Sequence, residues 1–490
     1  PPFPAPARRG PAILAPWAAP ARRDPAGGTP RTGPRGRDPA DGTPRAGPRG
    51  RRLAGGGGAP RAAAMGGGVV VMDAGGGALR CGWGGGSAPE VEGPHAAGRR
   101  GPAAKAGALP PARLLLDEVT AAAARDPAGL ALLRPADRGQ VVDWPLEHAL
   151  WARALGPAGL GAPPGAQTGG LAAVVPPFML PSLGETLLET CFEEFRFPRF
   201  LPGQAGPLAL AQHTPGPEWA AAAGVSGCGV VLDCGFSSTH AVPVLGGAAV
   251  QGAVRRLDLG GAGLTRLLQD EISLRSVNIA GEELVAEQCK HDACFVSADP
   301  LGDLRAAGGR ARPHRAEYLL PDGDSLTRGR LRTHEETLEA ASQARAAGGG
   351  GGTARGAKGP QVAVLNQERF MVPEALFRPA NVGLNQGGVA ELVAEAVNAC
   401  PAAVRPAMWG RVLVTGGGAR LGGFEARLRS ELRSLAPDTV DLGVESTADP
   451  ERAAWRGLSQ VAASPAFEQF AVTREEYEER GAAYFADLYL

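Results

Sequence analysis

Two apolar runs of strand character end alike, on an aspartate and a glycine turn, and each resumes as a second apolar run: GVVVMDAGGGALRCGWG at 68–84 and VVLDCGFSSTH at 230–240. A third run, RVLVTGGG at 411–418, also closes on glycines. Glycine lets main-chain N–H groups approach an anion closely and takes φ values that other residues avoid, so such turns can cradle phosphate. An Asp at the strand end adds a carboxylate able to hold the water shell of a Mg²⁺ that bridges phosphate oxygens. Asp73 and Asp233 stand 160 positions apart, which suggests a clamp with one jaw from each half of the chain. Composition weighs against reading too much into any single turn. With 73 Gly and 45 Pro in 490 residues, glycine turns arise by bias, and each one alone reads first as a hairpin. Walker A spacing is absent, and no glycine motif has the GxGxxG context of a dinucleotide fold.

From Met65 onward strand-like and helix-like segments alternate, the pattern of an α/β protein. GETLLETCFEEF, 184–195, has apolar residues at 187, 188, 191, 192 and 195, which predicts an amphipathic helix stopped by Pro198. Helices are also expected over 281–296, over 389–400, and through FEARLRSELRSL after the 411–418 strand. Stretches at 93–112, 156–170 and 342–360 interrupt the pattern and read as flexible surface insertions.

Residues 1–64 carry a 14-residue tandem repeat, RDPAGGTPRTGPRG then RDPADGTPRAGPRG, and read as disordered low-complexity sequence. Their 12 Arg and 3 Asp, with no Lys or Glu, give +9, so the zero net charge of the chain leaves −9 on the remainder. A mildly acidic body gives no charge argument for a nucleic-acid-binding domain. Met65 directly precedes the first strand, and the expectation is that it is the native start; peptides from before Met65 in the native protein would refute this. Seven Cys without CxxC spacing fit a reduced protein better than a disulfide scaffold. Cys289 and Cys294 flank His291, but two loosely spaced thiols without a second pair do not make a metal site. No apolar run reaches the roughly 18 residues of a membrane span.

The order of DAGGGALRCGW, VVLDCGFSSTHAVPV, RRLDLGGAGLT, NQERFMVPEALFRP, LVTGGGARLGGF and the terminal SPAFEQFAVTREEYEERG resembles the actin family. NQERFMVPEALFRP and SPAFEQFAVTREEYEE are the most telling, because neither is Gly-rich. The likeness covers nearly all of 66–490, and within the family it is greatest to a nuclear class, through FEEFRFPRF, FSSTHAVP, FRPANVGLNQGGVAELVAEAVNAC and RGQVVDW at 138–144. The resemblance implies an α/β, actin-like two-lobed fold built on duplicated ribonuclease-H-like cores, with a nucleotide cleft between them. The first lobe would span 65–225 with a small insert near 93–137. The second would span 226–452 with an insert near 256–360, and 453–490 would return to the first. By position, Asp73 with Gly75, Gly76 and Gly77 would form one phosphate loop and Asp233 with Gly235 the other. Gly416 and Gly417 would lie beside the nucleoside, Lys290 would border adenine and ribose, and Asp73 and Asp233 would hold Mg²⁺ through water. The ligand implied is ATP or ADP with Mg²⁺, in a structural role.

The chain also departs from the family. Gly76 replaces a serine, removing a hydroxyl that could bond the terminal phosphate, and Phe236 and Ser237 replace Asp-Gly in the second hairpin. The glutamine that positions the attacking water is replaced by Ala205 on a count along FRFPRFLPGQA, unless a one-residue slip puts Gln204 there. His291 replaces a glutamate beside Lys290, which would loosen ribose recognition. The resemblance thus implies a non-catalytic scaffold in the nucleus: a subunit of a SWR-type chromatin-remodelling complex that deposits a variant histone. Its partners would be the large remodeller ATPase, a small zinc-finger subunit and, indirectly, nucleosomal histones, with no membrane partner and no filament. The alternative is a slow ATPase or filament-forming actin-like protein. His240 invites a general-base role, yet no acid partner is evident, and it reads as structural or nucleotide-adjacent. Trp455 and Phe467 read as core, EEYEER at 475–480 as a solvated helix face, and AAYFADLYL as either a partner surface or a segment buried on the first lobe.

Overall fold

The computed structural model describes residues 67–100, 113–162, 168–213, 227–322, 324, 326–333, 335–339, 342 and 361–486. The repeat at 1–64, the expected start at Met65, most of the 342–360 insertion and the last four residues lie outside them. Within them the chain has the two-lobed α/β fold expected from sequence, each lobe centred on a sheet. In the first, Val69–Ala74 pairs antiparallel with Ala78–Trp83 and parallel with Gly170–Val175, which pairs parallel with Arg199–Gln204. In the second, Gly229–Cys234 pairs antiparallel with Thr239–Leu245 and parallel with Val412–Thr415, which pairs parallel with Val444–Ser446. The same hairpin plus two parallel strands recurs, so the aspartates fall in equivalent registers: Asp73 lies between Arg80 and Val174, Asp233 between His240 and Thr415. Both central strands are covered on both faces, which is why they read as continuous apolar runs: Val70, Val71, Met72, Val230, Val231 and Leu232 are all fully buried.

Two helices lie between the sheets. Ala205–Gln212 presents Leu208 to a cluster with Val71, Leu201 and Trp455, and Ala209 and Leu210 to a second cluster with Val231, Val242 and Leu413. Ala453–Ala462 crosses it and returns the chain to the first lobe, where the buried Trp455 donates its indole N–H to Val71 O at 3.2 Å. Phe467 is buried in the same cluster. The crossing is tight at Gly457: a methyl there would collide with the carbonyl oxygen of Leu208 and lie 2.7 Å from its carbon. In an open helix Gly→Ala would gain about 1 kcal/mol, but here the crowding is against main chain, which cannot rotate away. Gly457→Ala is therefore expected to destabilise by about 1–3 kcal/mol, read as a lowered melting temperature; an unchanged or raised one would show that the crossing has slack.

The expected helices at Glu283–Ala293, Val389–Ala399 and Phe424–Leu435 are present. The one expected over 184–195 starts earlier, at Pro181, and after Glu189 widens into a π-type turn closed by Phe195 N–H to Thr190 O, 3.0 Å. The wider turn lets Leu188, Cys191, Phe192 and Phe195 all point into the first core. Two insertion boundaries need correcting. Residues 93–100 are not a loose surface loop: Val91–Pro94 extends the first sheet, and Ala97–Arg100 joins Leu114–Leu115 and Leu130–Leu133 in a small sheet. His95, Ala96 and Ala97 are fully buried. At 156–162 the chain is also tied down, with Ala162 buried and its N–H bonded to Leu155 O at 2.7 Å. In the second lobe, Arg330–Leu331, Ala316–Leu319 and Val362–Leu365 form another small sheet. The 475–480 run is solvated except for Tyr477, which bonds Glu193 at 2.7 Å, and the terminal Ala482–Ala486 helix packs against Pro181–Glu189 while Tyr484 stays exposed. Among the described residues no helix is long and apolar enough to cross a membrane.

Candidate functional site

The three glycine turns meet in a cleft of about 440 Å³ between the lobes. Asp73, Gly75, Gly76, Gly77, Asp233, Gly235, Lys290, Gly416 and Gly417 all line it. The two hairpin turns are held from behind, and that fixes where their N–H groups point. In the first, His95 Nδ1 bonds Gly75 O at 2.9 Å, Arg134 donates to Gly76 O at 3.2 Å, and the His95 main-chain N–H donates to Gly77 O at 3.1 Å. In the second, Gly235 O and Phe236 O accept from Gly261 N–H (2.9 Å) and Ala262 N–H (2.8 Å), at the start of the Gly261–Arg275 helix. Across a trans peptide the C=O and the following N–H point in opposite directions. Engaging the carbonyls therefore turns the N–H groups of Gly76, Gly77, Phe236 and Ser237 the other way. None of the four meets a protein acceptor among the described residues. Such a convergent set of main-chain donors is suited to an anion.

The third turn requires glycine at one position. Gly416 has φ of 83°, and a Cβ there would run into the Cys234 carbonyl and lie 2.7 Å from Asp233 Oδ1. The two aspartates feel each other across the floor. Burial pushes the Asp233 carboxyl up to about 6; the charge of Asp73 adds to this and the Thr415 hydroxyl opposes it. Burial also raises Asp73, against the guanidinium of Arg80 at 3.5 Å. Two desolvated carboxylates facing one cleft form a site that a divalent cation would relieve. Among the described residues no group of three or more His, Cys, Asp or Glu is placed to hold a metal by itself. The pair therefore suits a hydrated cation that completes its shell with ligand oxygens. Cys289 and Cys294 are buried, whereas His291 faces the cleft, so the three do not converge.

Lys290 is buried, and its ammonium is committed to Thr265 Oγ1 (2.7 Å) and Gly261 O (3.0 Å), which secures the Gly261–Arg275 helix start and leaves one donor. Burial lowers its pKa, partly offset by Glu287. Glu287 lines the cleft one helical turn before His291, so a carboxylate is present on this wall despite the histidine at 291. His240 is nine-tenths buried, its Nε2 has no partner, and burial with the nearby charge of Arg256 pushes its pKa down to about 4. It is thus a neutral ring with an unpaired nitrogen at the cleft wall, 6.2 Å from the Phe178 ring. Ala205 lines the cleft; Gln204, at the end of its strand, does not.

Four residues that carry the site were not singled out from sequence. Arg80 sits in the cleft, bridging Asp73, Glu92 (2.8 Å) and Glu451 (3.7 Å). Arg134 stacks 4.2 Å over the Phe236 ring and pairs with Glu283 at 2.6 Å, linking first lobe to second. His95 and Glu147 form a buried pair at 2.6 Å behind the first turn, with Trp151 donating to Glu147 at 2.7 Å. The cation at position 80 of ALRCGW was visible in the sequence. The other three become recognisable only through partners far along the chain.

Residues 66–487 match the family described as Actin. Actin-related protein 6 of Oryza sativa subsp. japonica is 36% identical over 371 residues, covering 73% of this chain and 85% of that protein. The proteins of the same name from Arabidopsis thaliana and Drosophila melanogaster are 34% identical over 379 residues (76% and 87%) and 32% over 359 residues (73% and 85%).

Proposed function

The chain belongs to the actin family, and within it we propose a non-catalytic scaffold of a nuclear SWR-type chromatin-remodelling complex that deposits a variant histone, with Mg-ATP or Mg-ADP as a clasp between its lobes. Asp73 and Asp233 would hold the hydrated cation. The turns at Gly75–Gly77 and Gly235 would hold phosphates through their N–H groups, with Arg80 beside them. Gly416 and Gly417, with Lys290, would border the nucleoside. The large remodeller ATPase, a small zinc-finger subunit and, through them, nucleosomal histones are the partners proposed.

The observation that carries the reading is Ala205. A count along the sequence puts this residue where the family orients the attacking water, and its methyl group lines the cleft whereas Gln204 does not. Positioning and electrostatics supply nearly all the catalysis of phosphoryl transfer. On that count the cleft would hold a nucleotide without this means of cutting it. Holding is enough to matter, since a ligand at about 100 times its Kd adds about 2.7 kcal/mol to the folded state.

Mg-ATP is expected to raise the melting temperature of the purified protein, with no phosphate released in a single turnover and no pelletable filaments. Release at an actin-like rate, or filaments that appear with concentration, would instead favour the slow ATPase or polymer. Affinity purification is expected to recover remodeller subunits and variant histone; cytoskeletal partners would overturn the proposal.

A further inference from the structure

We infer that the hydroxyl facing the outermost phosphate of a bound nucleoside triphosphate comes from Ser237 of the second lobe, in the space left by the missing side chain of Gly76. This rests on the nucleotide-clasp reading above and deepens it. A Cβ built on Gly76 would fall on the Ser237 hydroxyl, 3.4 Å from Ser237 Cβ and 3.6 Å from Phe236 Cδ1. The volume that a side chain at 76 would fill is therefore already occupied by a hydroxyl reaching across from the opposite turn. Both residues line the cleft, and the main-chain N–H of Ser237 is turned to the same side by the bond from Ala262 to Phe236 O. The hydroxyl meets no protein acceptor among the described residues, so its proton is free to donate.

The turn that carries Ser237 is fixed in place. Phe236 packs with its ring 3.0 Å from where a Cβ on Gly77 would be, under the Arg134 guanidinium. Gly235 N–H bonds Ser238 O at 3.1 Å and closes the turn. The serine-to-glycine change at 76 and the glycine-to-serine change at 237, noted above as departures from the family, are thus one reciprocal exchange. A side chain at 76 and the hydroxyl of Ser237 compete for the same space, so the two turns hold one of them there, and in this chain it comes from the second lobe. Because it moves with the second lobe, a triphosphate would be gripped by N–H groups from both lobes and by this hydroxyl from the second, whereas a diphosphate would not reach the hydroxyl. Ser237 is then a specificity residue for triphosphate over diphosphate.

Calorimetric titration of the full chain with Mg-ATP and with Mg-ADP tests this in wild type, Ser237→Gly, Gly76→Ser and the double variant. Ser237→Gly is expected to weaken ATP binding about tenfold or more, as for a lost hydrogen bond to a charged group, and to leave ADP binding unchanged. Adding Gly76→Ser should restore ATP binding. Gly76→Ser alone puts two side chains where there is room for one, so it should weaken ATP binding and lower the ligand-free melting temperature, both relieved by Ser237→Gly. A wild-type chain that binds neither nucleotide would sink the clasp reading and this inference with it. Nucleotide binding that is indifferent to Ser237→Gly, or not restored in the double variant, would sink the exchange alone.

Discussion

Replacing His95 with alanine is expected to cost the folded chain about 3–5 kcal/mol, the price of removing one member of a fully buried pair. Nδ1 faces the Gly75 carbonyl, which can only accept, so this nitrogen must carry a proton. Nε2 then shares a proton with Glu147, which also accepts from Trp151. Without the ring, the carboxylate keeps one donor in a fully enclosed site, and the Gly75 carbonyl loses its restraint. Glu147→Gln is the control. Its amide oxygen can accept from Trp151 while its NH₂ donates to Nε2 of a neutral His95, so every group stays satisfied and the loss should be small, about 1 kcal/mol or less. Thermal unfolding of the two variants would show the contrast; equal effects, or an unperturbed His95→Ala, would refute the account. His95→Ala should also weaken nucleotide binding, because a turn released from behind no longer directs its N–H groups.

Asp233→Asn is expected to do the opposite to stability. With its carboxyl raised from 3.8 to about 6, Asp233 contributes stability that is fully present below its unfolded value and lost as pH rises through about 6. At neutral pH the ligand-free wild type therefore carries the full penalty of a buried, repelled carboxylate, about 3 kcal/mol at most at 1.36 kcal/mol per pH unit. The amide has no charge to desolvate and still accepts from Thr415. The variant should melt higher than wild type above pH 6 and match it near pH 4, while losing the stabilisation by Mg-nucleotide. A variant that melts lower at pH 7 would mean that Asp233 is already compensated without ligand. Its cross-strand partner His240 has the reverse dependence: a pKa lowered from 6.5 to about 4 gives stability present above 6.5 and lost as pH falls through 4. In wild type the two slopes oppose each other between about pH 4 and 6.5. Asp233→Asn should expose the histidine's slope as a stability that declines on acidification.

The hairpins, the parallel strands beside them and most helices were legible because each is written locally, as an apolar run ended by glycine or an apolar stripe ended by proline. Trp455 and Phe467 were legible as core for the same reason. His95 was hidden by its neighbourhood: glycine, alanine and arginine around it look like a linker, and only the pairing of Val91–Pro94 with the first hairpin brings it beneath Gly75. Arg134 and Glu283 are charged residues of ordinary helix and loop sequence, and no spacing marks two groups 149 positions apart as partners. The loss of a serine at 76 and the gain of one at 237 were both visible. That they share one space was not, since it depends on how two turns from different lobes face each other.

The helices Ala205–Gln212 and Ala453–Ala462 also set the mechanics of the molecule. They carry the chain out of the first lobe and back again, so two crossings, pressed together at Gly457, join the halves. A single connection would let the lobes twist and splay in any direction; two side by side leave one easy rotation, about the line that runs through them. Contacts near that line resist opening with little leverage. Arg134 on Glu283, and Glu282 on the Gly129 N–H at 2.7 Å, join the lobes away from the hinge helices, where leverage is greater. A modest ion pair placed there resists opening more than the same pair would beside the hinge helices.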